Sequence, residues 1–288
     1  MKILLSLLFP IFMFAQTITL QILGSGGPEF SQRASSSYLI WVNGKAKVMV
    51  DAGAGAFMRF SESGAKIEDL EFIALTHLHI DHSADLPAFM KGGFFSNRSK
   101  LLPILGTTAK GNFPNIKEYL NRMFGKNGAY AYMNDILTPQ SDSFQIKPIM
   151  FNQGFNSQNF NGITVGTVGV NHGIIPAIAY CININGKKIV FAGDTSAQSE
   201  KLISLAHNAD YLIVHHAILE HAGAYAKRLH ITPTRIGEVA AKAGVKNLIL
   251  SHRMKRTYAS EQESLTLIRK HYQGNIIWAE DLMKIEVK

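Results

Sequence analysis

Cysteine is nearly absent: Cys181 is the only one in 288 residues. No internal disulfide can form, and a metal site would have to be built mainly from histidine and carboxylate. Beyond the first fifteen residues there is also no apolar run long enough to span a bilayer. Internal repeats, long linkers and blocks of like charge are missing too. The net charge of +8 comes from 29 scattered Lys and Arg against 21 Asp and Glu. It favours anionic partners or substrates without marking a nucleic-acid stripe. A hydrophobic content of 47% argues against disorder and suffices for one large domain or two modest ones.

What is present begins with Met1, Lys2 and a mostly apolar stretch from Ile3 to Phe14, followed by Ala15 and Gln16. That is the layout of a secretory signal peptide, too short to span a bilayer. The expectation is a signal over residues 1–15, a mature domain over residues 16–288, and export to the periplasm. If residues 1–15 are retained, they read as an N-terminal strand of a cytoplasmic protein.

Strand-like runs recur at Thr17 to Leu23, Tyr38 to Val42, Lys47 to Val50, Phe72 to Leu75, Ile163 to Val170, Ala177 to Ile184, Lys188 to Phe191, Tyr211 to Val214 and Asn247 to Leu250. A helix is signalled where Thr232 can cap, Pro233 suits the first turn, Ile236, Val239 and Ala240 keep helical spacing, and Gly244 can end it. Another is expected near Ile116 to Phe124. Early strand pairs followed by alternating helix and strand predict two sheets covered by helices. The aromatics Phe94, Phe95, Tyr119, Phe124, Tyr130 and Tyr132 read as core, and Asn152 to Gly162 as a surface turn region.

Three of the eleven histidines fall in THLHIDH, Thr76 to His82, directly after an apolar run. In extended chain, residues two apart face the same way, so His77 and His79 can reach one metal ion while the following turn swings Asp81 and His82 toward a second. Each ion needs at least four donors. Further ligands must therefore come from later strand ends: His172 in VGVNHGI, Asp194 in VFAGDTS and His252 in LILSHRM, with Asp194 suited to bridge. His207 and His271 lack any partner pattern and read as ordinary surface or core residues.

These residues resemble the metallo-β-lactamase-fold hydrolases, in the branch of ribonuclease Z and arylsulfatase-like enzymes. LGSGGP (Leu23 to Pro28), VDAG with Asp51, THLHIDH, FAGDT, HITP and LSH all match, over almost the whole chain after residue 15. The resemblance implies an α/β fold, an αβ/βα four-layer sandwich of two mixed sheets with the site at one edge. It also implies two divalent ions, zinc by ligand type, with His77, His79, His172 and Asp194 around the first and Asp81, His82, Asp194 and His252 around the second. Asp51 would be structural. His230, in HITP, would hydrogen-bond charge developing in the transition state, and Asp81 could also accept a proton.

The function expected is hydrolysis of a small anionic ester, a phosphodiester or sulfate ester, by a metal-bridging hydroxide. Lactone, thioester or β-lactam hydrolysis, ribonuclease Z-like RNA cleavage and a non-catalytic metal-binding scaffold are the alternatives. RNA is the less favoured substrate for two reasons. His215 and His216 stand where ribonuclease Z carries a His-Glu pair, and the stretch from His172 to Asp194 is too short for that enzyme's tRNA-clamping arm. Arg253, Lys255 and Arg256 either line the mouth or are plain surface charge. Homodimer assembly is compatible with the sequence.

Overall fold

The computed structural model describes residues 16–138 and 144–288. The expected signal segment, residues 1–15, lies outside them. The first sheet holds β1 (Ile18–Gly24), β2 (Ser37–Val42), β3 (Lys45–Val50), β4 (Phe72–Ala74), β5 (Leu102–Thr107) and β6 (Ile146–Phe151). The second holds β7 (Asn156–Phe160), β8 (Ile163–His172), β9 (Ile175–Ile184), β10 (Lys187–Phe191), β11 (Tyr211–His215), β12 (Asn247–Ser251) and β13 (Asn275–Trp278). The last strand, β14 (Lys284–Glu286), returns to the edge of the first sheet beside β1.

Each sheet has seven strands, in the orders β14-β1-β2-β3-β4-β5-β6 and β13-β12-β11-β10-β9-β8-β7. In the first, β14 to β3 pair antiparallel and β3 to β6 parallel; in the second, β7 to β10 pair antiparallel and β10 to β13 parallel. Both sheets are thus mixed, as expected.

The layering follows from the two-residue period of extended chain. Along β2, Tyr38 and Ile40 enter the core between the sheets while Leu39 faces outward; along β3, Val48 and Val50 do the same around Met49. In β11, Tyr211 and Ile213 point inward, and Leu212 and Val214 point outward. Because both faces of these strands are buried, they read as continuous apolar runs.

Helices cover the outer faces. On the first sheet lie α1 (Ala56–Glu62), α2 (Ile80–Ser83), α3 (Leu86–Phe94) and α4 (Ile116–Phe124); with the second go α5 (Lys201–Leu205), α6 (Ala224–Leu229), α7 (Pro233–Lys242) and α8 (Glu261–Arg269). Phe60, Phe89 and Leu120 close one outer core, and Leu202, Ile236 and Ile268 the other. The result is four layers, αβ/βα. Among the described residues no helix is long and apolar enough to cross a membrane.

Some local expectations change. Thr232 does precede α7, but its side chain makes no cap; Glu220 instead accepts from the Thr234 backbone N–H at 2.8 Å. Asn156 to Phe160 forms an edge strand, not a turn, its polar residues being tolerated because the edge is largely solvent-exposed. Of the aromatics expected in the core, Phe124 is buried, but Phe94, Phe95, Tyr130 and Tyr132 are exposed. Phe94, Phe95 and Tyr132 instead place their rings around the Lys91 ammonium at 4.9–5.0 Å.

Phe191, on β10, meets Tyr38 of the opposite sheet with ring centroids 5.3 Å apart. Replacing Phe191 by Ala should cost about 3–5 kcal/mol of unfolding free energy in a urea titration. Phe30→Ala, at a fully exposed ring, should stay within about 0.5 kcal/mol.

Candidate metal centre

The site collects where strands stop. Asp51 follows β3, Thr76 and His77 follow β4, and His172 ends β8; Asp194 comes three residues after β10, His215 ends β11, and His252 follows β12. His79, Asp81 and His82 come from the first turn of α2, and His230 from the residue after α6. The parallel strands on both sheets bring these ends to one rim. There the sheets are stitched together by the Ile178 N–H donating to the Thr76 carbonyl at 3.0 Å, and the Tyr180 hydroxyl to the Leu75 carbonyl at 3.1 Å.

Two glycines are needed for this approach. At Gly27, in LGSGGP, a Cβ would lie 2.5 Å from His252 Cε1, so only glycine lets that loop pass the histidine. Gly193 has a φ of +62°, and a Cβ there would meet the Thr76 Cβ at 2.9 Å.

Asp194 is the centre of the geometry. Its Oδ2 lies 3.8 Å from His77 Nε2 and 3.6 Å from His172 Nε2. Its Oδ1 lies 3.7 Å from His82 Nε2 and 3.6 Å from His252 Nε2, and contacts His215 Nδ1. One carboxylate therefore faces two separate groups of imidazoles. Donor atoms of His77, His79, His172 and Asp194 lie within 4.8 Å of one another, and so do those of His82, Asp194, His215 and His252.

The first group is the set implied by the sequence. In the second, the structure places His215 among the four donors, whereas Asp81 accepts a hydrogen bond from His252 Nε2 at 2.9 Å and lies 3.6 Å from His82 Nε2. His215 had a signal in the sequence, a histidine closing an apolar run. Neighbouring His216, facing the other way, bonds Ser264 Oγ at 2.8 Å and packs edge-on to Trp278.

The outer atoms of the histidines are fixed so that the inner ones face the site. Asp51 accepts from His82 Nδ1 at 2.8 Å and from the Thr76 backbone and hydroxyl, and the Leu229 carbonyl accepts from His172 Nδ1 at 2.8 Å. Such outer partners set the tautomer and aim of a metal-binding imidazole. Asp51 therefore has the structural role expected of it.

Among the described residues, buried nitrogens without a partner include His77 Nε2, His82 Nε2 and His230 Nδ1, all within 4 Å of the Asp194 carboxylate. A buried polar atom without a partner is costly. Several such lone-pair donors converging on one buried carboxylate fit a divalent cation of the borderline class.

Electrostatics agree. Burial lowers the pKa of His215 and His230 to about 4, and that of His77 well below its usual value, leaving all three neutral near pH 7, the form that can ligate. Burial would raise the pKa of Asp194, but His252, His215 and His82 hold it well below the carboxylate range. For His82, burial lowers the pKa, yet Asp51, Asp81 and Asp194 raise it to about 10. A cation entering there displaces a proton.

Two residues of the basic cluster are engaged within the protein. Arg253 is buried, ion-paired with Glu261 at 2.7 Å and with Glu280, and lies over the rings of Trp278 and Tyr258. Arg256 pairs with Glu29 at 3.4 Å.

The family described as Anti-Pycsar protein Apyc1 matches residues 18–273. The chain belongs to that family. It is also 27% identical over 286 residues to ribonuclease Z of Mycobacterium bovis, covering 94% of this chain and 98% of the relative. Among solved structures it resembles the metallo-β-lactamase-fold protein YhfI of Bacillus subtilis, with a TM-score of 0.75, 19% identity, and 94% and 100% of the two chains covered. The short form of human tRNase Z aligns with a TM-score of 0.71 at 20% identity, over 94% and 99% of the chains. These likenesses show the metallo-β-lactamase fold.

Removing the Asp51 carboxylate frees His82 Nδ1 and the Thr76 hydroxyl. Asp51→Ala should weaken zinc affinity by about 10–100-fold, read by competition with a chromogenic chelator. Unchanged affinity would mean that His82 is held by its backbone alone.

Proposed function

We propose that this protein is a binuclear metal-dependent hydrolase of small phosphodiesters. The observation that carries the reading is Asp194, whose two oxygens each face a separate histidine group. His77, His79, His172 and Asp194 would hold one ion; His82, Asp194, His252 and His215 would hold the other, with Asp81 at its edge. Zinc is the metal proposed, from the imidazole and carboxylate donor set. When bound, two such ions lower the pKa of a water and polarise the oxygens of an ester.

The protein's own groups do the rest. Burial raises the Asp81 pKa, but His82 and His252 bring the net value below the ordinary one. Its carboxylate therefore stays ionised near pH 7, which suits it to a place at the edge of a cation site more than to proton uptake. His230 keeps its side chain 13% exposed, beside Asp194 at 3.8 Å. Neutral at pH 7, it can donate a ring N–H to the oxygen on which charge develops.

Phosphorus as the reacting centre is supported by relatives named for RNA processing and by the net charge of +8. A small substrate is supported by the path from His172 to Asp194, which runs directly through the hairpin strands β9 and β10 with no inserted arm. RNA cleavage is the second reading, favoured by the 27% identity to ribonuclease Z over nearly the full chain. We also propose export, from the signal-like layout of residues 1–15. Sequencing the mature N-terminus should find it near Gln16, and an intact Met1 would place the protein in the cytoplasm.

Zinc-loaded protein should hydrolyse bis(p-nitrophenyl) phosphate and lose that activity on chelation and in His79→Ala. Two bound ions per chain with no turnover of this ester, but cleavage of a precursor tRNA, would transfer the function to RNA. His230→Ala should lower kcat by about 10²–10⁴-fold while metal content, measured by mass spectrometry, stays at the wild-type value.

A further inference from the structure

Among the residues of the two donor groups, only His252 has a positive φ, +53°. That is the left-handed region, which a residue with a side chain holds only when its surroundings over-determine it. The surroundings that do so lie outside the metal centre. The next residue, Arg253, donates its backbone N–H to the Ser25 carbonyl at 2.8 Å and so seats the His252 loop against LGSGGP. Gly27 of that stretch is the residue whose missing Cβ leaves room for the His252 ring. Where the ring sits therefore depends on how firmly the two loops are joined.

Two arginines join them. Arg253, buried, donates from Nε to Glu261 at 2.9 Å and from Nη1 to the Ala279 carbonyl at 3.1 Å, and ion-pairs with Glu280 Oε1. Arg33 donates to Ser25 Oγ at 2.8 Å and to the Tyr258 hydroxyl at 3.0 Å, and ion-pairs with Glu280 Oε2. The Glu280 carboxylate thus gives one oxygen to each arginine, and both guanidiniums lie over the Tyr258 ring, at 5.5 and 5.6 Å. Asp281 ties the LGSGGP stretch directly, accepting from the Ser25 N–H and hydroxyl at 2.9 and 2.7 Å and from the Ala34 N–H at 2.8 Å.

Glu280 is not there for packing, since its side chain is 50% exposed. Its contribution is charge. Hydrogen bonds between ionised partners are roughly twice as strong as neutral ones, and without the carboxylate the two guanidiniums would face each other uncompensated. The network enters the metal centre through His252, a member of the second donor group. Rings of the first group take their aim elsewhere: His77 Nδ1 meets the Thr76 hydroxyl at 3.1 Å, and His172 Nδ1 donates to the Leu229 carbonyl at 2.8 Å.

Resting on the binuclear reading above, we infer that Glu280 is a positioning residue for the second metal position. By coupling Arg33 to Arg253 it holds His252 in its left-handed backbone, and occupancy of that position, not of the first, depends on it.

The test is calorimetric titration of metal-free protein with zinc, for wild type and Glu280→Gln, with His252→Ala marking which binding step belongs to the second position. Hydrogen exchange of the Arg253 amide is measured on the same metal-free samples. In Glu280→Gln the second ion should bind about tenfold more weakly, the lower end of the range for groups that hold a ligand from outside, and the first ion as in wild type. The Arg253 N–H should exchange faster, because its bond to Ser25 opens more readily. Equal weakening of both ions, as a general loss of stability would give, or an unchanged second step would overturn the role. If wild type takes up a single ion, the binuclear reading fails and the exchange measurement decides alone: faster exchange at Arg253 in Glu280→Gln sustains the positioning role, and unchanged exchange overturns it.

Discussion

A single buried carboxylate organises this protein. Asp194 is 2% exposed and surrounded by imidazoles on both of its oxygens. An isolated carboxylate could not be taken that far from water, and here the neighbouring histidines compensate for burial and keep it ionised. Everything that surrounds it serves to bring opposing side chains within about 4 Å. The glycine at position 193, the seam between the Ile178 N–H and the Thr76 carbonyl, and the loop that passes His252 at Gly27 are all consequences of that requirement.

The sandwich supplies the frame. Parallel strands on each sheet end at the same rim, so short loops from β3, β4, β10, β11 and β12 can each contribute a side chain without long excursions. Between the sheets, the Tyr38 and Phe191 rings and the aliphatic residues around them fix the spacing of the two halves. Around the rim, Asp51, Thr76 and the Leu229 carbonyl hold the outer ring atoms of the histidines. Arg253 contributes by pinning the loop after His252 through Glu261 and Glu280, which is why its charge is spent inside the protein.

Features governed by local periodicity were legible in the sequence. Strands buried on both faces appear as short apolar runs, and HxHxDH after such a run marks a convergence of donors because the residues are close along the chain. The layering and mixed sheets followed from the order of those runs and from the family resemblance. What was not legible depends on contacts distant in sequence. His215 joins the second histidine group only because β10 and β11 lie side by side and the strand end aims it at Asp194. Whether Phe94, Phe95, Tyr130 and Tyr132 enter a core depends on whether another element covers them, and none of the four is buried. The helix α6 carries no periodic apolar stripe of its own; its last carbonyls, of Leu229 and Arg228, accept from the His172 ring Nδ1 and from the Gly173 N–H.

The central claim is that Asp194 serves two metal positions at once. It is tested most directly by anomalous diffraction at the zinc edge from crystals of zinc-loaded protein. The account predicts two peaks, one among His77, His79 and His172 and one among His82, His215 and His252, with Asp194 ligating both. A single peak, or two peaks that Asp194 does not join, would contradict it.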